Sequence, residues 1–230
     1  MAVATVAGER PAGQASWIPI LIIALAQIQM GFNVSVLPVS IGDIVEAFQT
    51  SPGSVSTALV IYSLAVAGFV MLGAKLGKRI GSRLAFQVGV IGHGAAMALM
   101  AVSADVTIMW IAQAIAGLAA AMLVPALVVM VAVHYQGRQQ TQALGFLQAA
   151  QSGSGVLAFL VAGILSATLG WRYSFWLTFG LSLLGIVLSF RLKSAPRENV
   201  RIDAVGAALA AIAIVLLSFG FDNLNRWGVI

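Results

Sequence analysis

The chain has 230 residues, 60% of them hydrophobic and only 8% charged, with a formal net charge of +5, whereas a soluble domain carries about 25% charged residues. That composition excludes an ordinary soluble domain and marks an integral membrane protein. The absence of cysteine also excludes disulfides, thiolate metal sites and cysteine nucleophiles. A pI near 10.3 would suit a nucleic-acid binder if the cations covered a soluble face. Here they sit between apolar runs, where the negative cytoplasmic leaflet accounts for them, and no nucleic-acid partner is expected.

Residues 1–16 read as a cytoplasmic tail, since Glu9 and Arg10 lie in no basic-then-apolar signal layout. The first apolar run, 17–41, reaches roughly 37 Å at about 1.5 Å per residue, enough to cross a hydrocarbon core of about 30 Å with tilt. An external loop with Asp43 and Glu46 and the turn Ser51-Pro52-Gly53-Ser54 lead to a second span at 55–76. The stretch from Gly73 to Leu84 then gathers Lys75, Lys78, Arg79 and Arg83 without an acid, which places it in the cytoplasm by the positive-inside rule. Further spans are expected at 84–103 and 106–133, joined by an external turn at Asp105. A cytoplasmic connector, 134–140, holds Arg138 and precedes a fifth span at 141–169. The external Gly170-Trp171-Arg172 leads to a sixth at 173–190.

The linker 191–203 carries Arg191, Lys193, Arg197 and Arg201, and a seventh span at 204–221 leaves 222–230 outside. Ten cations then fall inside, and only Arg172 and Arg226 fall outside. The expected protein is a multi-pass all-α protein of the cell membrane, inner or plasma, with a cytoplasmic N-terminus and residue 230 external. Its parts are a six-helix half bundle at 17–190, the linker, and a seventh transmembrane helix.

Lipid gives helices no hydrophobic reason to associate, so close approach relies on small residues at i and i+4. Such rows are Gly92 and Ala96, Gly117 and Ala121, Gly145, Ala149 and Gly153, and Gly206 and Ala210. The middle of the fifth span, Ser152-Gly153-Ser154-Gly155, is both polar and deformable. No Asp, Glu, Lys or Arg lies at membrane depth, where polar groups mark pathways. Gln29 and Asn33 share a face of the first span, Gln27 points elsewhere, Tyr62 is on the second, Gln113 on the fourth, and Gln148 and Gln151 on the fifth. Each amide alone fits an interhelical hydrogen bond worth about 0.6 kcal/mol; together with Tyr62 they are candidates to line a neutral, substrate-binding cavity. His93, whose imidazole has a reference pKa of about 6.5, serves either as a proton site or as a neutral hydrogen-bonded ring.

The loop Leu76-Gly77-Lys78-Arg79-Ile80-Gly81-Ser82-Arg83 resembles the signature loop of the major facilitator superfamily, with Leu76, Arg79 and Gly81 in register. Leu37-Pro38, Tyr62-Ser63-Leu64-Ala65, Gly117, Gly170-Trp171-Arg172, Ile202 to Gly206, and Trp227-Gly228 resemble stretches of its fourteen-helix drug/proton antiporter branch. The resemblance covers nearly the whole chain. It implies the N-terminal half of a transporter built from two inverted three-helix repeats, binding a small organic solute between two halves near the midplane. The second six-helix half would come from a longer chain or another copy.

Several positions depart from the family pattern. Lys78 stands at the loop Asp and Ala74 at its first Gly, while Gln29 and Gln113 stand at the antiporter acid and Arg, and Ala158-Phe159 at its Gly-Pro. Two classes of function follow: solute transport without carboxylate coupling in this half, or a non-transporting membrane scaffold on the same fold. A retinal receptor is excluded because the seventh span lacks a lysine. An enzyme is not expected, nor is a metal or cofactor, since no carboxylate pair, ligand cluster or nucleophile-base pairing stands in or beside the spans.

Overall fold

The computed structural model describes residues 15–200 and 204–222. Among them are eight helices: α1 (Ile18–Val39), α2 (Ile41–Phe48), α3 (Pro52–Ile80), α4 (Ser82–Ala101), α5 (Val106–His134), α6 (Gly137–Thr168), α7 (Arg172–Ser189) and α8 (Ala204–Asp222). Six of these, α1 and α3 to α7, are long and apolar enough to cross a membrane. No strand occurs among the described residues. Arg10, Arg201, Arg226, Ile202, Asp203, Trp227-Gly228 and nearly all of the expected N-terminal tail and external end lie outside the described residues.

Local chemistry sets the helix boundaries. Ser51 caps α3 by accepting from the Ser54 amide at 3.1 Å, with Pro52 at the first helical position. Asp105 caps α5 by accepting from the amides of Thr107 at 2.7 Å and Ile108 at 3.0 Å. Gly81, at φ +96°, makes the corner between α3 and α4, a conformation that side chains with a Cβ avoid.

One expectation is corrected at the first connector. Ile41, expected to end the first span, and residues 42–48, expected as an external loop, form the helix α2. Asp43 and Glu46 interrupt the apolar run, but Ile44, Val45 and Phe48 lie on one face; Ile44 is fully buried and the other two partly so. Gln49 ends the helix in the left-handed region at φ 49°. Helices α3 and α6 also start earlier than the apolar runs suggest, because polar first turns remain helical.

The packing shows a repeated plan. α3 lies along α5 as α6 lies along α1, α4 also packs on α5 as α7 packs on α1, and α4 and α7 pack on each other. Helices α1, α3 and α4 therefore form one three-helix unit, and α5, α6 and α7 a second, each lending its middle helix to the other's first. The units are inverted. α1 starts at the end where Gln139 Nε2 donates to the Ala15 carbonyl at 2.6 Å and the Tyr135 hydroxyl donates to the Ser16 carbonyl at 3.0 Å. α5 starts at the opposite end, where Trp110 Nε1 donates to the Ser54 carbonyl at 2.8 Å.

All connectors expected on one side meet at one end of the bundle. The Arg83 amide donates to Ser194 Oγ at 3.4 Å, the Ala195 amide to Ser82 Oγ at 2.8 Å, and the Lys193 amide to His134 Nε2 at 3.0 Å. The other connectors meet at the far end, where Arg172 donates to the Ser103 carbonyl at 2.8 Å and Ser166 bonds Asp43. Arg172 also lies 4.3 Å from the Trp171 ring centroid, and Phe48 meets Trp171 edge-on at 5.6 Å.

Small residues hold α3 against α5. A Cβ on Gly73 would strike the Ala121 carbonyl, and one on Gly117 would stand 2.6 Å from the Tyr62 carbonyl oxygen. Gly92 similarly faces Ala119 of α5. The row Gly145, Ala149 and Gly153, in contrast, is exposed, and a Cβ on either glycine would meet nothing within 4 Å. On α8, Ala210 is exposed and the contact with α3 runs through Ala211, which faces Gly68. The outer faces of α6 and α7 expose Val156, Leu157, Leu160, Ile164 and Val187.

Candidate functional site

A cavity of about 420 Å³ opens near the middles of α1, α3, α5 and α6. From α1 it is lined by Gln27, Met30, Gly31, Val34 and Ser35, one helical face repeating at three and four residues. Tyr62, Ser63, Val66 and Ala67 of α3, Val124 of α5 and Gln151 of α6 complete it. Its polar groups are amides and hydroxyls; no charged side chain lines it. The wall between α1 and α6 depends on Gly31, where a Cβ would collide with Ser154 Oγ. Ser154 is itself tied back to the Gln151 carbonyl at 2.6 Å.

The expected polar residues divide into two groups. Tyr62 and Gln151 line the cavity, and Gln148 stands exposed beside Gln151, donating to its Oε1 at 3.3 Å. Gln29, Asn33 and Gln113 are instead buried between helices. Asn33 and Gln113 exchange amide bonds, Nδ2 to Oε1 at 3.2 Å and Nε2 to Oδ1 at 3.0 Å. Both are fully buried, so the two amides replace water for one another, as groups at this depth require. Gln27 was absent from the expected set. Its sign in the sequence was the stripe of Gln27, Gly31 and Ser35 at i, i+4 and i+8, a polar and small-residue face of an otherwise apolar helix.

His93 sits fully buried on α4, its Nδ1 2.8 Å from Gln29 Nε2. The other ring nitrogen, Nε2, is buried with no hydrogen-bond partner among the described residues. The Tyr62 ring meets it edge-on at 6.4 Å between centroids. Gln29, His93 and Tyr62 thus form a neutral file from the core to the cavity wall. The positions where the family pattern has an acid and an arginine, Gln29 and Gln113, are each satisfied by a neutral partner.

The basic loop forms a second cluster. Leu76 is half-buried, Gly81 is buried beneath Ser194, and Lys78, Arg79 and Arg83 are exposed. Residues 192–198 of the linker strap the loop: Arg197 Nε donates to the Ile80 carbonyl at 3.1 Å, Arg83 to the Leu192 carbonyl at 3.4 Å, and the Glu198 amide to the Lys78 carbonyl at 3.0 Å. Lys78 Nζ also lies 3.4 Å from Glu198 Oε2. Among the described residues, no group of His, Asp and Glu is placed to hold a metal ion.

A bundle of two inverted three-helix units around a central uncharged cavity, with a basic connector between its second and third spans, defines a multi-pass membrane protein of transporter type. The model of the Major Facilitator Superfamily matches residues 23–219, and the chain belongs to that family. The family is one of transporters rather than enzymes. Similar proteins include the puromycin resistance protein of Streptomyces alboniger, 26% identical over 92% of this chain and 43% of its own length. The cephamycin export protein of Amycolatopsis lactamdurans is 26% identical over 86% of this chain and 42% of its own length. The chain thus spans less than half the length of these curated relatives. Among solved structures, the peptide transporter POT in complex with sulfate superposes with a TM-score of 0.70 at 15% identity, over 96% of this chain and 49% of that one. At that identity the likeness concerns the fold.

Proposed function

We propose that this chain is the N-terminal half of a secondary transporter that moves a small organic solute by alternating access. The carrying observation is the uncharged cavity at mid-depth between the two inverted units, lined by Gln27, Tyr62 and Gln151, in a chain of this family. Export is the favoured direction, because the puromycin and cephamycin relatives are named for resistance or export. A second six-helix half, from the same longer chain or another copy, would close the cavity. In this reading the lipid bilayer is the cell membrane, the basic end and the N-terminus are cytoplasmic, α8 is a seventh crossing, and residue 230 is external.

This half would contribute hydrogen bonds to the solute and no coupling proton. Gln29 and Gln113 cannot titrate, and His93 is fully buried behind Tyr62, outside the cavity lining, with Gln29 at its Nδ1. One observation favours the scaffold alternative: the positions of the antiporter acid and arginine hold amides already paired in the core. Uptake by the full-length protein in proteoliposomes separates the two. Transport that weakens in Gln151→Leu supports the first, and the absence of any carried solute supports the second.

A further inference from the structure

The cavity's chemistry restricts what can enter it. Gln27, Ser35, Tyr62, Ser63 and Gln151 are its polar lining groups, and none carries a charge. Gln27 is 8% exposed and has no hydrogen-bond partner among the described residues, so an amide with donors and an acceptor is held at the cavity wall uncommitted. Gln151 accepts from Gln148 through Oε1, which leaves its own amide nitrogen to donate. Met30, Gly31, Val34, Val66, Ala67 and Val124 supply the remaining surface.

An ion bound against this wall would find no countercharge on it, the costliest way to bury a group. An aromatic face could partly replace a carboxylate for a cation; Tyr62 is the one aromatic side chain on this wall, and its ring already stands edge-on to His93 at 6.4 Å between centroids. Anions likewise find no cation among the groups lining this wall.

We infer that this wall selects an uncharged amphipathic solute, one presenting carbonyl or hydroxyl groups to Gln27 and Gln151 and an apolar body to Met30, Val66 and Val124. The inference rests on the transport reading above and specifies its substrate class.

The test measures equilibrium binding to the purified full-length protein with three probes: chloramphenicol, an uncharged amide with two hydroxyls; ethidium, a permanent cation; and benzylpenicillin, an anion. Chloramphenicol is expected to bind about tenfold more tightly than either ion. Gln151 is exposed, so Gln151→Glu is expected to fold; it should weaken chloramphenicol and raise ethidium affinity about fivefold or more. Gln151→Leu should weaken chloramphenicol without helping ethidium, which separates the new charge from the lost amide. Ethidium or benzylpenicillin binding wild type as tightly as chloramphenicol, or no binding of any probe, overturns the inference. Selective binding of chloramphenicol with no flux of it in proteoliposomes overturns the transport reading while leaving the chemical selectivity standing.

Discussion

Replacing Gly73 by alanine tests how the cavity's walls are held. The new Cβ would meet the Ala121 carbonyl oxygen and stand 2.7 Å from both the Ala121 carbonyl carbon and the Met122 Cα. All three are backbone atoms, so no side chain can turn away. Restoring a normal carbon contact of about 3.5 Å requires α3 and α5 to separate locally by roughly 0.8 Å, and a gap of that size forfeits about a quarter to a half of the dispersion at neighbouring contacts. Overpacking of this kind costs about 1–3 kcal/mol, while Gly→Ala in a helix returns up to about 1 kcal/mol. A net loss of about 1–2 kcal/mol is expected. Gly145→Ala is the matched control: its Cβ meets nothing within 4 Å, so only the propensity gain of up to about 1 kcal/mol remains. Reversible unfolding of the 230-residue chain in mixed micelles, followed by circular dichroism, measures both. Gly73→Ala equal to or above wild type, or Gly145→Ala losing as much as Gly73→Ala, would refute the packing described.

Other outcomes follow from the ends of the bundle. A single cysteine at Ser194 should be shielded from an impermeant thiol reagent in intact cells and one at Ser51 labelled; labelling at Ser194 would reverse the orientation. Ser82, buried and bonded to the Ala195 amide, is a poor reporter because burial alone would shield it. Lys78→Asp removes an exposed ion pair and should change stability by less than about 1 kcal/mol. Gly81→Leu forces a side chain into φ +96° beside Ser194 Oγ at 3.2 Å and should cost about 1–3 kcal/mol; unchanged thermal melts would sink that expectation. Arg172→Leu loses the bond to the Ser103 carbonyl and the stack on Trp171, with an expected loss of about 1–3 kcal/mol in the same unfolding assay.

Much of the bundle was legible because membrane spans obey simple length and charge constraints. The six apolar runs and the basic stretch around Lys78 and Arg79 give the alternation of connectors that the structure gathers at opposite ends. Helix α2 was missed because Asp43 and Glu46 outweigh Ile44, Val45 and Phe48 in a short segment, and only packing beside Trp171 reveals its apolar face. The amides were harder to place. Gln29, Asn33 and Gln113 look like Gln27 and Gln151 in sequence, but polarity alone does not tell an amide satisfied by its neighbour from one facing open space. The pairing of Asn33 with Gln113 depends on α1 and α5 meeting at that depth, which is tertiary information. Small-residue rows have the same limit: Gly117 and Ala121 meet α3, whereas Gly145 and Gly153 face no described neighbour.

The central claim, that this half lends neutral hydrogen bonds to a carried solute and no proton, is tested most directly by flux in proteoliposomes under an imposed pH gradient. Wild type, His93→Gln and the double variant Gln27→Leu with Gln151→Leu are compared on the full-length protein, with chloramphenicol as the solute. The account predicts that the double variant raises the concentration needed for half-maximal flux about tenfold or more, while His93→Gln leaves the pH dependence of flux unchanged. Loss of pH-driven flux in His93→Gln alone, with the double variant behaving as wild type, would contradict it and make the histidine the proton carrier.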